Sequence, residues 1–174
     1  MKKIFLLLAL VIASGLYLTT KAQTDADIVH KTKHLKGNKG EKIFIKQADK
    51  CLALIEQSAQ KLSIKGVAIV AFIPGEVTES WISKMKVVGN LTGGGANLLG
   101  VASTKAAEMA DTFKDSGSGI RKPLNGELGY QGGVIKKVDS GYILAVFSGG
   151  SSEQDVAVAK EGLNYLLQYY SKAK

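Results

Sequence analysis

The residues best placed to do chemistry lie where an apolar run, Tyr142-Ile-Leu-Ala-Val-Phe147, passes into Ser148-Gly-Gly-Ser-Ser-Glu-Gln-Asp155 and then into an amphipathic helical stretch. The first turn of a helix carries N–H groups without intrahelical partners and the positive end of the macrodipole. A glycine-opened approach to it therefore suits an anionic or strongly polar group. The same residues also have the spacing to satisfy one another, since Ser151 with Gln154, or Ser152 with Asp155, forms a capping-box-like pair. Both readings, anion site and plain cap, stand on the sequence. The candidate ligand contacts here are Ser148, Gly149, Gly150 and Gln154, with Lys105 as a counter-charge on a middle helix, where a lysine is otherwise simply solvated.

Catalytic constellations are missing, and their absence narrows the reading. Both histidines, His30 and His34, precede the domain, so a serine or cysteine triad within it has no imidazole. Their i, i+4 spacing would place both on one helix face for a metal or a haem iron; in a lysine-rich leader they are instead solvated. Gly93-Gly94-Gly95 and Gly100 to Lys105 lack the glycine that a P-loop needs before its lysine. Ser116-Gly-Ser-Gly119 lacks the first glycine of a nucleophile elbow. The acids are scattered, and Asn90-Leu-Thr92 matches a glycosylation sequon. Met85, Met109, Tyr130 and Tyr142, besides the two histidines, are chemically able to ligate a metal, and no spacing selects one. The pattern favours binding over catalysis, because no proton-transfer residue stands in the right place.

Positioning these residues is the work of one domain behind a leader. Met1-Lys2-Lys3 and the apolar stretch Ile4 to Leu18 have the form of a secretory signal peptide, with Thr20-Lys21-Ala22 as the cleavage site and a mature start at Gln23. At about 15 residues the stretch is shorter than the roughly 20 that span a bilayer, which favours cleavage over an anchor. Periplasmic or secreted localisation follows, with no stable membrane span after cleavage. The 174-residue chain has a formal charge of +8; losing Lys2, Lys3 and Lys21 lowers it to +5. With Arg121 the sole arginine, this is a solvated lysine-rich surface and not a nucleic-acid interface. Cys51 is the sole cysteine, so no intramolecular disulfide forms, and it reads as a small buried hydrophobe.

Residues 23–41 read as a flexible, lysine-rich leader and 42–174 as the domain. Ile45, Ala48, Cys51, Leu52, Ile55, Ala59 and Leu62 recur at three and four, as the buried stripe of a helix does. Val67 to Ile73 is continuously apolar, the mark of a strand covered on both faces. Glu76 to Val88 alternates as a second antiparallel strand does, with Val77, Trp81 or Ile82, and Met85 set among polar residues. A helix over Leu98 to Phe113 and a polar connection from Lys114 to Gly129 follow. The hairpin Gly133–Val138 and Tyr142–Phe147 turns at Asp139-Ser140-Gly141, and a last helix runs from about Ser152 to Tyr170. This order implies an α+β domain on an antiparallel sheet, its two fully apolar strands covered by helices or by another subunit.

Taken together, Gly132-Gly133, the Asp139-Ser-Gly141 turn, Ser148-Gly-Gly150 and Gln154-Asp155 resemble the C-terminal signature of the HbpS-like, or GlcG-like, haem-binding family. Lys84-Met85 is similar to that family's Arg-Met, and Thr104-Lys105-Ala106 to its Lys-Ala on the middle helix. The sequence departs from the family at Ile73-Pro-Gly-Glu76, at the glycine loop near residue 93, and at Lys84, which lacks arginine's planar fork. The resemblance spans about Ile43 to Leu167. It implies a profilin-like antiparallel sheet packed with helices, a homo-oligomer, haem or another small anionic ligand, and a part in haem sensing, storage or breakdown. It also adds Gly132 and Gly133 to the ligand contacts. Two other functions fit the chain: an enzyme acting on a small anionic metabolite at Ser148–Gln154, and an oligomeric scaffold without catalytic activity.

Overall fold

A computed structural model describes residues 39–171. The signal peptide, most of the leader, His30 and His34 lie outside the described residues.

Described residues open in a helix, α1, covering 39–61. Residues 39–41, read from sequence as the end of the leader, are helical, and the Gly40 carbonyl accepts a 2.7 Å hydrogen bond from the Tyr170 hydroxyl. The buried stripe is Phe44, Ala48, Cys51, Leu52, Ile55 and Ala59. Ile45 and Leu62, expected in that stripe, are exposed: Phe44 fills the inward position one residue before Ile45, and Leu62 lies in the turn past the end of α1.

Four antiparallel strands form the main sheet in the order β2-β1-β6-β5: β1 is Gly66–Pro74, β2 Ile82–Val88, β5 Gly133–Val138 and β6 Gly141–Ser148. A two-stranded hairpin, β3 (Thr92–Gly93) with β4 (Ala96–Asn97), leads into helix α2 (Leu98–Thr112), and α3 (Ser152–Ser171) ends the domain. Helices cover both faces of the central strands, which is why β1 and β6 read as unbroken apolar runs. On one face Ala68, Val70, Phe72, Ile143, Ala145 and Phe147 meet the stripes of α1 and α3. On the other, Val67, Ile69, Ala71, Ile73, Leu144 and Val146 meet Ala102, Ala106 and Met109 of α2. Cover of these two strands needs no second subunit.

The second strand is shorter than the expected Glu76–Val88, and of the apolar residues expected in it only Ile82, the alternative to Trp81, packs inward. Ile82 and Val88 pack with the α1 face of the core, whereas Val77, Trp81 and Met85 are exposed. Between Ile82 and Val88 the inward positions belong to Lys84 and Lys86, whose ammonium groups pair with Asp49 at 2.9 Å and Glu56 at 2.5 Å on α1. A lysine stem can lie over apolar surface while its charge reaches a partner.

Helix α1 packs closely on α3. The Cys51 thiol donates to Gly162 O at 3.2 Å, and a Cβ at Gly162 would come within 2.5 Å of Ile55 Cγ1, so only glycine fits that crossing. Burial pushes the Cys51 thiol up to about 12, as its reading as a buried hydrophobe implies. Among the described residues no helix is long and apolar enough to cross a membrane.

Candidate functional site

A cleft of about 460 Å³ opens where the end of β6, the start of α2, the β3–β4 hairpin and the start of α3 converge. Its walls combine Leu98 and Val101 of α2, Gly93, Gly94 and Ala96 of the hairpin, and Tyr130 and Gln131 of the connection before β5. Lys105, Ser148, Gly149, Gly150, Ser152 and Asp155 complete it. That volume falls within the range of small-molecule sites.

Local sequence explains each contribution. Asn97 caps α2 through Oδ1, which accepts from Gly100 N at 3.0 Å, and Phe113 closes the helix in the left-handed conformation. Between these caps Leu98, Ala102, Lys105, Ala106 and Met109 follow the helical period, so Lys105 lies within the buried stripe. The connection from α2 to β5 is irregular but tied down. Glu108 Oε1 accepts from Gly117 N at 3.0 Å, Asp115 Oδ1 from Ile135 N at 2.9 Å, and Ser116 Oγ from Gly133 N at 2.8 Å. Arg121 grips Glu127 through two nitrogens, at 2.6 and 2.9 Å, and donates to Asp111 at 2.8 Å. This lattice holds Tyr130 and Gln131 at the cleft wall.

The deepest polar feature is an ion pair. Lys105 Nζ donates to Asp155 Oδ2 at 2.8 Å and to Phe147 O at 3.0 Å, and each of the two residues is only 3% exposed. Lys105 is therefore not the solvated helix lysine of the plainer sequence reading. As a counter-charge it is already engaged by Asp155. Burial raises the Asp155 carboxyl above its usual range, opposed by the Lys105 ammonium and by the Gly150 and Gly149 N–H groups. Gly132 is required beside this pair: its φ is +134°, and a Cβ there would collide with Lys105 Nζ and lie 2.8 Å from Phe147 O.

The helix start works differently from the anion site that its sequence suggests. Gly150 N donates to Asp155 Oδ1 at 2.8 Å, Ser151 N to Gln154 Oε1 at 2.9 Å, and Gln154 N to Ser151 Oγ at a long 3.4 Å. Ser151 and Gln154 thus form a capping box, and the carboxylate of Asp155 sits where an external anion would have met the glycine amides. Glu153, held below the usual carboxylate range by its own backbone N–H and the Ser151 hydroxyl, completes the turn.

Of the seven ligand-contact candidates, Lys105, Ser148, Gly149 and Gly150 line the cleft. Gly132 backs the ion pair, Gly133 packs under Met109 and bonds Ser116, and Gln154 is taken by the cap. Of the candidate iron ligands among the described residues, only Tyr130, 54% exposed, stands at the cleft. Met109 is buried in the core beneath α2, and Met85 is exposed on β2. Tyr142 stacks on Phe113 with ring centroids 4.4 Å apart. Among the described residues no group of three or more His, Cys, Asp or Glu side chains could hold a metal ion.

Sequence reasoning placed Asp155 only in the cap and missed its pairing with Lys105. A usable signal existed: Asp155, Val158, Ala159, Gly162, Leu163, Leu166 and Tyr170 follow one helical stripe, and so do Ala102, Lys105, Ala106 and Met109. Two opposite charges, each embedded in an otherwise apolar stripe, mark a buried pair. Chemically, a carboxylate engaged by three donors and an ammonium engaged by two acceptors fix the cleft and can orient a ligand. Comparison with known proteins finds no family model, no curated protein and no solved structure that matches the chain.

Proposed function

We propose that the chain is an exported binding protein whose ligand, haem or a related tetrapyrrole, sits in the cleft between α2 and the start of α3, in the service of haem sensing, storage or breakdown. The observation that carries the reading is the cleft itself: apolar on the side of Leu98 and Val101, polar at Lys105 and Ser148, and walled by Tyr130. An apolar wall with a few convergent polar groups is the usual make-up of a small-molecule site. Tyr130 would supply the phenol oxygen to the iron, a ligand type that haem proteins use. Export rests on the signal-peptide pattern of residues 1–22. Met85 and Val87, exposed on edge strand β2, support self-association through that edge.

The test is a titration of the mature chain with haemin. A saturable Soret shift at one haemin per chain is expected, and Tyr130→Phe moves the Soret maximum of the bound form. A spectrum that is the sum of free haemin and protein at every ratio overturns the reading. The sedimentation mass of the same preparation decides self-association, and a monomer refutes it.

A further inference from the structure

We propose that the polar end of the cleft anchors a carboxylate, held by the hydroxyl of Ser148 and the remaining N–H of Lys105. This deepens the reading of the cleft as the ligand site and rests on it.

Ser148 ends β6 opposite Val67 and shares the α2 face of the sheet with Val146 and Leu144. The residue is only 3% exposed, yet its hydroxyl makes no hydrogen bond among the described residues. No fully sealed side-chain nitrogen or oxygen lacks a partner. The Ser148 oxygen must therefore open onto the cleft that the residue lines. A buried hydroxyl without a protein partner calls for one from a ligand or water.

Beside it stands an ammonium with capacity left. Lysine has three donors, and Asp155 Oδ2 and Phe147 O take two. Lys105 and Ser148 both line the cleft, and the carbonyl that accepts from the ammonium belongs to Phe147, the residue before Ser148. Asp155 meanwhile receives Lys105, Gly150 N and Gly149 N, so three donors share its charge and it does not draw on the ammonium alone. Two donors that line one cleft can serve the two oxygens of a carboxylate. The amides that a phosphate would need at the helix start are spent on Asp155 and Gln154. Leu98 and Val101 complement an apolar body behind the acid. A tetrapyrrole propionate and a free monocarboxylic acid both present this chemistry.

The experiment compares haemin with haemin dimethyl ester, and hexanoate with hexanol, on the mature chain and on Ser148→Ala. Haemin is expected to bind about tenfold more tightly than its ester, or more, as befits charge-assisted hydrogen bonds. Ser148→Ala erases most of that ratio. Haemin and ester binding equally well would overturn the carboxylate anchor and leave the haem reading standing. Haemin failing to bind while hexanoate, and not hexanol, shifts the Ser148 amide resonance would keep the anchor, assign it to a free acid and remove haem. Neither acid binding would overturn both. The ester comparison needs no substitution, so it decides the matter even if Ser148→Ala does not fold.

Discussion

Asp155→Asn is the most informative single perturbation of this domain. The side chain keeps its shape, and its oxygen can still accept from Gly150 N, but Lys105 loses its counter-charge while remaining 4% exposed and bound only to Phe147 O. Removing one partner of a buried ion pair costs about 3–5 kcal/mol. For a domain of about 130 residues, unfolding entropy scales so that 1 kcal/mol is roughly 3–4 °C, and the lower figure predicts a melting point about 10 °C down. Lys105→Met tests the other side, with a different pH signature. Burial already raises the Asp155 carboxyl, and losing the opposing ammonium raises it further. A carboxyl whose folded pKa lies above its unfolded 3.8 contributes stability that is full below 3.8 and is lost as pH rises through the folded value. Lys105→Met should therefore melt close to wild type at pH 4 and fall progressively behind towards pH 7. Asp155→Asn should not share that dependence. The double variant Lys105→Met with Asp155→Asn should recover most of the loss, since no uncompensated charge remains. Calorimetric melts of the four proteins from pH 4 to 7 provide the assay. An Asp155→Asn penalty under about 1 kcal/mol at pH 7, or a pH-independent Lys105→Met penalty, would refute the buried pair as described.

Two further outcomes follow from the geometry. Cys51, with its thiol raised to about 12 by burial, should resist a thiol reagent in the native protein at pH 8 and react at once in denaturant, as absorbance of the released thiolate reports; rapid native labelling would contradict its burial. Glu127, held down at about 2 by Arg121 and the Leu124 N–H, stabilises the connection before β5 above pH 4.5 and loses that contribution as pH falls towards 2. Glu127→Gln should flatten the acid limb of the stability curve, and an unchanged limb would show that the grip of Arg121 contributes nothing.

Legibility in the sequence followed how local each determinant is. The hairpin β5–β6, the caps of α2 and α3, and the double-sided burial of β1 could be read because turn residues and apolar runs carry them within a few positions. The inward face of β2 was not legible beyond the choice of Trp81 or Ile82, since Lys84 and Lys86 look like solvent positions until Asp49 and Glu56 of α1 are placed opposite them. The site was legible as residue types and not as wiring. Ser148, Gly149, Gly150 and Lys105 were identifiable as candidates, but Lys105 and Asp155 stand 50 residues apart, and only the folded chain shows that they neutralise each other.

That wiring changes what the glycine-rich junction is for. A helix start with free amides would bind anions on its own; here α3 carries its own anion, Asp155, and the junction is closed by the protein itself. The cation that balances it comes from α2, on the opposite face of the sheet, and its ammonium reaches Phe147 O at the end of β6 between them. One lysine thus ties both helical layers to the strand end, and Gly132 keeps the space it needs. A ligand bound at Ser148 would meet this tie directly. Its binding energy would add to the stability of the junction by linkage, so a carboxylate bound in this cleft should raise the melting point of the whole domain and do so more in Asp155→Asn, where it supplies the counter-charge that Lys105 has lost.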